Sequence, residues 1–408
     1  MKNKILNYFV VIILIMTGMF ATYDNPKLVE IPKKNFKYFL KKVGLIDSFH
    51  IEKDQQSIKT KDEEKDKKKQ EFLANSFSFS IEKIKSLNRK TANLIFNKEG
   101  DYKIFTQRGE LVTKKLISEI NLPIDFTIEK EGGVKSVFSF EGKLYALLSR
   151  KSLGCSYSSL LNLKNQNEIF KTKCIQDIDK INFAGLGGAY IYYKDGILLS
   201  VGTPTHYSDK IDELAQKNNS LYGKILFLKT SEQDEKKLIY SIFSKGHRNP
   251  QGMVLINEKI YSTEHGPQGG DELNLIEKDG NYGWPIVSLG TRYGGKSYKK
   301  ESLKFKEPIF SFSPAIAPSD LNICPRNLKE YYKDYTCFIG LTLKEMSLVI
   351  YLINKDEELI SYEKIKLDKR LRHFGLNEDA TLYLDKEDNF YFSSDGDGIY
   401  RAKFEKFR

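Results

Sequence analysis

The sequence predicts an all-β fold of the propeller type, and three observations carry that expectation. From Phe77 onward the chain runs as short β-forming stretches separated by tight-turn residues, as in 137–140, the turn at Glu141 and Gly142, and 143–148. The rhythm persists from residue 77 to residue 408, and a β-sandwich of that length would ordinarily have split into two domains. The composition, 40% hydrophobic with 29% charged residues and only 11 prolines, suits a globular chain that buries a core.

Taken in order, the elements begin with Lys2 and Lys4 ahead of an apolar run over 8–21. Residues 1–21 therefore read as a secretory signal or a short inner-membrane anchor, with the lysines on the cytoplasmic side. Residues 22–76 differ in texture. Phe36, Phe39, Leu40 and Val43 fall at i, i+3, i+4 and i+7 among Lys33, Lys34, Lys37, Lys41 and Lys42. That pattern predicts a basic amphipathic helix, suited to a lipid surface or to packing on the main domain. Residues 59–69 are almost entirely charged and cannot bury a core, so they read as a solvated linker or exposed helix. The domain over 77–408 then offers strands at 92–96, 102–106, 189–193, 197–201, 224–228, 253–256, 259–263, 348–353, 380–384, 389–393 and 398–404. No repeat of fixed period counts the blades.

The net charge of +11 is spread through strand-like segments, without a basic helix interleaved with aromatics. This argues against nucleic acid and leaves acidic small molecules or anionic lipid as partners. Four cysteines lack any CxxC spacing or nearby histidine pair, which argues against zinc. In an exported chain they permit disulfides. Cys155 and Cys174 flank a hairpin turning at Lys164 and Asn165, so equal offsets set them opposite each other. Cys324 and Cys337 flank a similar segment.

Three blocks carry the chemistry: GHRNPQG at 246–252, TEHGPQGGDELNL at 263–275, and GNYGWP at 280–285. In this order and spacing they resemble the signature of the soluble PQQ-dependent sugar dehydrogenases. Weaker echoes lie at 220–226, 317–319, Lys344 and 370–372. The resemblance runs from about Ala92 to the C-terminus and implies a six-bladed propeller in the periplasm, with a sugar or glycan as substrate and a periplasmic electron acceptor. By resemblance, Arg248 and Asn249 hold the reactive quinone carbonyl, where a hydride acceptor develops negative charge. His265 lies against the cofactor. Lys344, Arg370 and Arg372 meet its carboxylates, the two arginines alternating so that both point to one face. Gly266 and Pro267 offer carbonyls to a calcium ion that touches PQQ, and Glu272 with the Tyr282 carbonyl matches a structural calcium site. Asp271 resembles a residue near the substrate. The stretch DGDG at 395–398 hints at a calcium loop but lacks the remaining ligand spacing, and it reads as a turn.

The chain departs from the family at its base. Active members place a histidine in a His-x-Gly-Gly block, and the matching position here is Gly185, with Ala189 at the family's following arginine. None of His50, His206, His247, His265 and His373 lies in this block. Ala315 replaces a family threonine, and 132–134 keeps only part of an early Gly-Leu motif. Two functions are thus expected: an aldose dehydrogenase using PQQ and calcium with impaired turnover, Asp271 being the nearest substitute base, or a membrane-tethered propeller binding PQQ, another polyanion or a glycan without turnover.

Overall fold

Tight turns create the hairpins. Glu141 (φ 49°) and Gly142 (φ 69°) join Phe140 to its ladder partner Lys143, and Asn257 (φ 49°) with Glu258 (φ 64°) joins Ile256 to Lys259. Two consecutive positive-φ residues match the right-handed twist of the flanking strands. In the computed structural model the described residues are 70–407, apart from 74–75, 177–180, 205–208, 235–236, 294–297 and 299–303. The expected signal or anchor, the amphipathic helix, the charged run, His50 and His206 lie outside them. No described helix is long and apolar enough to cross a membrane.

The hairpins assemble into six antiparallel four-stranded blades. Their inner strands are Thr91–Phe96, Val134–Phe140, Gly187–Tyr193, Pro250–Ile256, Pro318–Ile323 and Leu371–Leu376, and each touches the next around a closed ring. The ring closes where Leu371–Leu376 runs parallel to Thr91–Phe96, with Gly375 opposite Leu94. The last blade consists of Leu371–Leu376, Phe390–Ser394 and Gly398–Glu405, and it takes Ser78–Ser86 from the start of the domain as its outer strand. The two ends of the chain are thereby sealed without a covalent bond. Phe79 on the early strand packs 4.8 Å from Phe404 and 6.1 Å from Phe390, all fully buried. Each such side chain contributes roughly 1.5–3 kcal/mol.

Two expectations need correction. The β-domain starts before residue 77: Gln70–Leu73 pairs with Ser78–Ser86, and Phe72 lies 6.3 Å from Phe79, so part of the expected linker is a strand. Both expected disulfides form, each with Cα atoms 5.5 Å apart. However, register shifts between Glu168 and Phe170 and again between Lys171 and Ile175 set Cys155 opposite Gln176, not Cys174, and the bond reaches diagonally. Denatured, unreduced protein is accordingly expected to show no free thiol. Reduction should cost about 3 kcal/mol per bond for loops of this size. Thiol titration with and without reductant checks this, and four reactive thiols before reduction would refute both bonds.

Candidate active site

Residues at or beside the start of each of the six inner strands open onto one cavity of ≈ 880 Å³. A strand end is where backbone pairing stops and side chains turn to the axis, so six blades contribute one short segment each. The wall carries Lys90, Lys135, Arg248, Lys344, Arg370 and Arg372 against two carboxylates, Glu131 and Asp271. Six basic side chains facing two acidic ones make the cavity attractive to a polyanion.

Arg248 and Asn249 are held rigidly where blade 4 begins. The Arg248 backbone N–H donates to Glu264 Oε2 at 3.0 Å, its guanidinium donates to the His265 carbonyl at 3.0 Å, and it lies 5.4 Å over the Trp284 ring. The Asn249 Oδ1 accepts from Gly187 N at 3.0 Å and Gln251 Nε2 at 2.8 Å, which leaves the amide NH₂ to donate. His265 Nε2 donates to the Pro318 carbonyl at 2.7 Å, and burial pushes its imidazole below the usual histidine range, so it stands neutral.

Gly266 and Pro267 line the cavity in a loop so close-packed that a Cβ on Gly266 would stand 2.2 Å from the Gly270 carbonyl oxygen. Asp271 also lines it, but its carboxylate is a clamp. Oδ1 accepts from Gly266 N at 2.9 Å and Oδ2 from Ala317 N at 2.6 Å, tying two loops together. The Asp271 carboxylate expected near the substrate thus also has a structural role. Glu272, one residue on, faces away by strand alternation and is Glu264's cross-strand partner. Burial, then the Glu264 carboxylate, pushes Glu272 well above the usual range. Asn274 donates to both carboxylates, while its own Oδ1 is buried without a hydrogen-bond partner. The Tyr282 ring stacks 4.6 Å from His247 beside this cluster.

The arginine fork is present but partly neutralised. Arg372 clasps Asp395, Nε donating to Oδ1 at 2.9 Å and Nη2 to Oδ2, while Arg370 Nε lies 3.9 Å from the same carboxylate. Asp395 belongs to the DGDG turn, which stays a turn and gains a function. Lys344, from the neighbouring blade, is exposed and lines the same cavity.

At the missing base, Gly185 closes a short 3-10 turn, Phe183–Gly185, and is buried off the cavity wall. Its φ is not positive; the left-handed glycines are Gly187 (φ 76°) and Gly188 (φ 114°). A side chain at 185 therefore meets no left-handed backbone, whereas one at 187 or 188 would. The sequence reading also missed Lys135, the Lys90–Glu131 ion pair, and His373, whose Nδ1 lies 3.7 Å from Asp320 Oδ2. No motif marks them; a lysine on a strand reads as a solvent-facing residue.

The glucose/sorbosone dehydrogenase family model matches residues 83–391. The chain is 28% identical over 186 residues to the aldose sugar dehydrogenase YliI of Escherichia coli, covering 42% of this chain and 49% of that one. It is 40% identical over 115 residues to the quinoprotein glucose dehydrogenase B of Acinetobacter calcoaceticus, covering 26% and 23%. It thus spans about half or less of the length of these curated relatives. Its fold matches the PQQ-bound aldose sugar dehydrogenase of Streptomyces coelicolor with a TM-score of 0.57 at 17% identity, covering 80% of this chain and 98% of that one.

Proposed function

This chain belongs to the glucose/sorbosone dehydrogenase family, and we propose that its central cavity binds PQQ and oxidises an aldose or related sugar. The observation that carries the reading is the cavity's excess of basic side chains, six against two acidic ones, around a pre-set Arg248–Asn249 pair. PQQ, when bound, supplies a two-electron ortho-quinone acceptor. Arg370, Arg372 and Lys344 meet carboxylates, while Arg248 and the Asn249 NH₂ donate to an oxygen on which charge develops. His265, neutral and tethered to Pro318, fixes the adjoining wall. Calorimetry with PQQ and calcium tests this: micromolar or tighter binding is expected, and no binding sinks the reading.

A second reading, a tethered propeller that holds PQQ, another polyanion or a glycan without turnover, draws on Gly185 standing where the base would be and Asp271 serving as a clamp. Dye-linked reduction by the reconstituted protein separates the two. We further propose export to the periplasm, supported by the two disulfides and the apolar N-terminal run, with an envelope electron acceptor and inner-membrane association.

Calcium is proposed at two places. No three His, Cys, Asp or Glu side chains converge as a metal cage among the described residues, so an ion must rely on carbonyl and carboxamide oxygens too. The Glu272–Glu264 pair, Glu264 buried and Glu272 half-buried, and the unpartnered Asn274 Oδ1 fit that donor chemistry. The Gly266–Pro267 carbonyls fit a second ion at the cavity. Calcium at a hundredfold excess over Kd should stabilise the fold by about 2.7 kcal/mol, read as a Tm several degrees higher and reversed by chelator. A Tm indifferent to both would count against the structural site.

A further inference from the structure

A sugar hydroxyl needs a proton acceptor as hydride leaves the carbon that bears it. Gly185 has none to offer, and both Asp271 oxygens already accept backbone N–H groups. Lys135 offers one. It is the second residue of the blade 2 inner strand, Val134–Phe140, and it lines the cavity. It abuts the turn where the histidine would stand: a Cβ on Gly188 would lie 2.9 Å from the Lys135 carbonyl oxygen and 3.3 Å from the Lys135 Cβ. The bare glycines of blade 3 thus let the blade 2 backbone at Lys135 approach closely.

The surroundings of Lys135 come from three segments. On its own, Nζ donates to the Glu131 carbonyl oxygen. Before the blade 1 strand, Lys90 takes up the Glu131 carboxylate at 2.5 Å, so that acid is already paired. From blade 6, Arg372 adds a second positive charge. Burial first, then the Arg372 charge, lowers the Lys135 ammonium to about 7, against the weaker opposing pull of Glu131. A half-buried lysine lowered this far exchanges its proton near neutral pH, and its neutral form has a lone pair to offer.

We propose that Lys135 is the general base of this cavity, replacing from a neighbouring blade the histidine absent at Gly185. The assignment rests on the dehydrogenase reading. In the step it serves, the hydroxyl proton of the aldose passes to Lys135 Nζ and the O–H pair becomes the second C–O bond. The C–H pair leaves as hydride for the ortho-quinone oxidant, which is reduced by two electrons while the sugar becomes a lactone. The anionic ligand's own carboxylates raise the Lys135 titration, so the rate should climb with pH through and above neutrality.

Two measurements test this. In protein with ¹³C-methylated lysines, a resonance should titrate near neutrality without PQQ and be missing from Lys135→Met, beside that of Lys224, which burial also lowers to about 7. Titration of every lysine above about pH 9 overturns the assignment without touching the dehydrogenase reading. In protein loaded with PQQ and calcium, Lys135→Met and Lys135→Arg should each lower kcat by about 10²–10⁴-fold. Their PQQ affinity should stay within about tenfold of the native protein, by calorimetry. The arginine variant separates base from cation, since guanidinium keeps its charge and cannot accept the proton. Native kcat in Lys135→Arg makes Lys135 an anion contact and overturns the proposal. Native protein that binds PQQ but oxidises no aldose at any pH also overturns it, in favour of the non-catalytic reading. Failure to bind PQQ removes the dehydrogenase reading and the base assignment with it.

Discussion

Replacing Arg372 by alanine is expected to destabilise the propeller by about 3 kcal/mol, the low end of the range for orphaning a buried charge. The Asp395 side chain is only 5% exposed and its carboxylate accepts two N–H groups from Arg372. Arg370 at 3.9 Å blunts the loss, but its side chain is more than half exposed and reaches the same carboxylate loosely. The linkage has a definite sign. Burial alone would raise Asp395, yet the Arg372 hydrogen bonds and charge hold it below the ordinary aspartate range. A carboxylate depressed in the folded state contributes stability above its unfolded pKa, near 4, and loses it as pH falls through the folded value. The difference between native and Arg372→Ala should therefore be full at neutral pH and shrink below pH 4. The double variant Arg372→Ala/Asp395→Ala should recover part of the loss, because no charge is left buried alone. PQQ affinity should fall about 10- to 100-fold. Denaturant unfolding showing less than 1 kcal/mol at neutral pH would contradict the buried-charge account.

Arg248→Ala is expected to lower kcat of the reconstituted protein by about 10²–10³-fold, the usual effect of deleting one donor to a developing oxyanion. The guanidinium is held by the His265 carbonyl and the Trp284 face, so it costs little further ordering to act. Arg248→Lys should lose nearly as much, since an ammonium on a flexible stem reproduces neither the fork nor the stacking. The effect should fall on kcat more than on PQQ affinity, which the other cavity cations share. Steady-state kinetics beside calorimetry reads that split. A variant with unchanged kcat and weakened PQQ binding would move Arg248 from polarising the carbonyl to mere anchoring.

Much of this protein was legible in its sequence because the signals are local. Glu141 with Gly142 marks a reversal, alternating runs such as 400–404 pack as strands, and GHRNPQG places Arg248 and Asn249 at a rigid corner. Cys324 and Cys337 lie close enough in the chain for their pairing to follow from a hairpin. Other features depend on residues that the chain keeps far apart. Ser78–Ser86 seals the ring by pairing with Gly398–Glu405, more than three hundred positions away. Asp271 became a clamp only when the loop at Ala317 arrived above it, and Arg372 lost part of its charge to Asp395 across a strand pair. Lys135 shows the limit best. On the sequence it is one lysine among many on a strand, and its letter is the same whether it faces water or a cavity. Only ring closure sets it against blade 3 and within the field of Arg372, and desolvation and charge, both properties of the assembled wall, decide whether that lysine carries a proton.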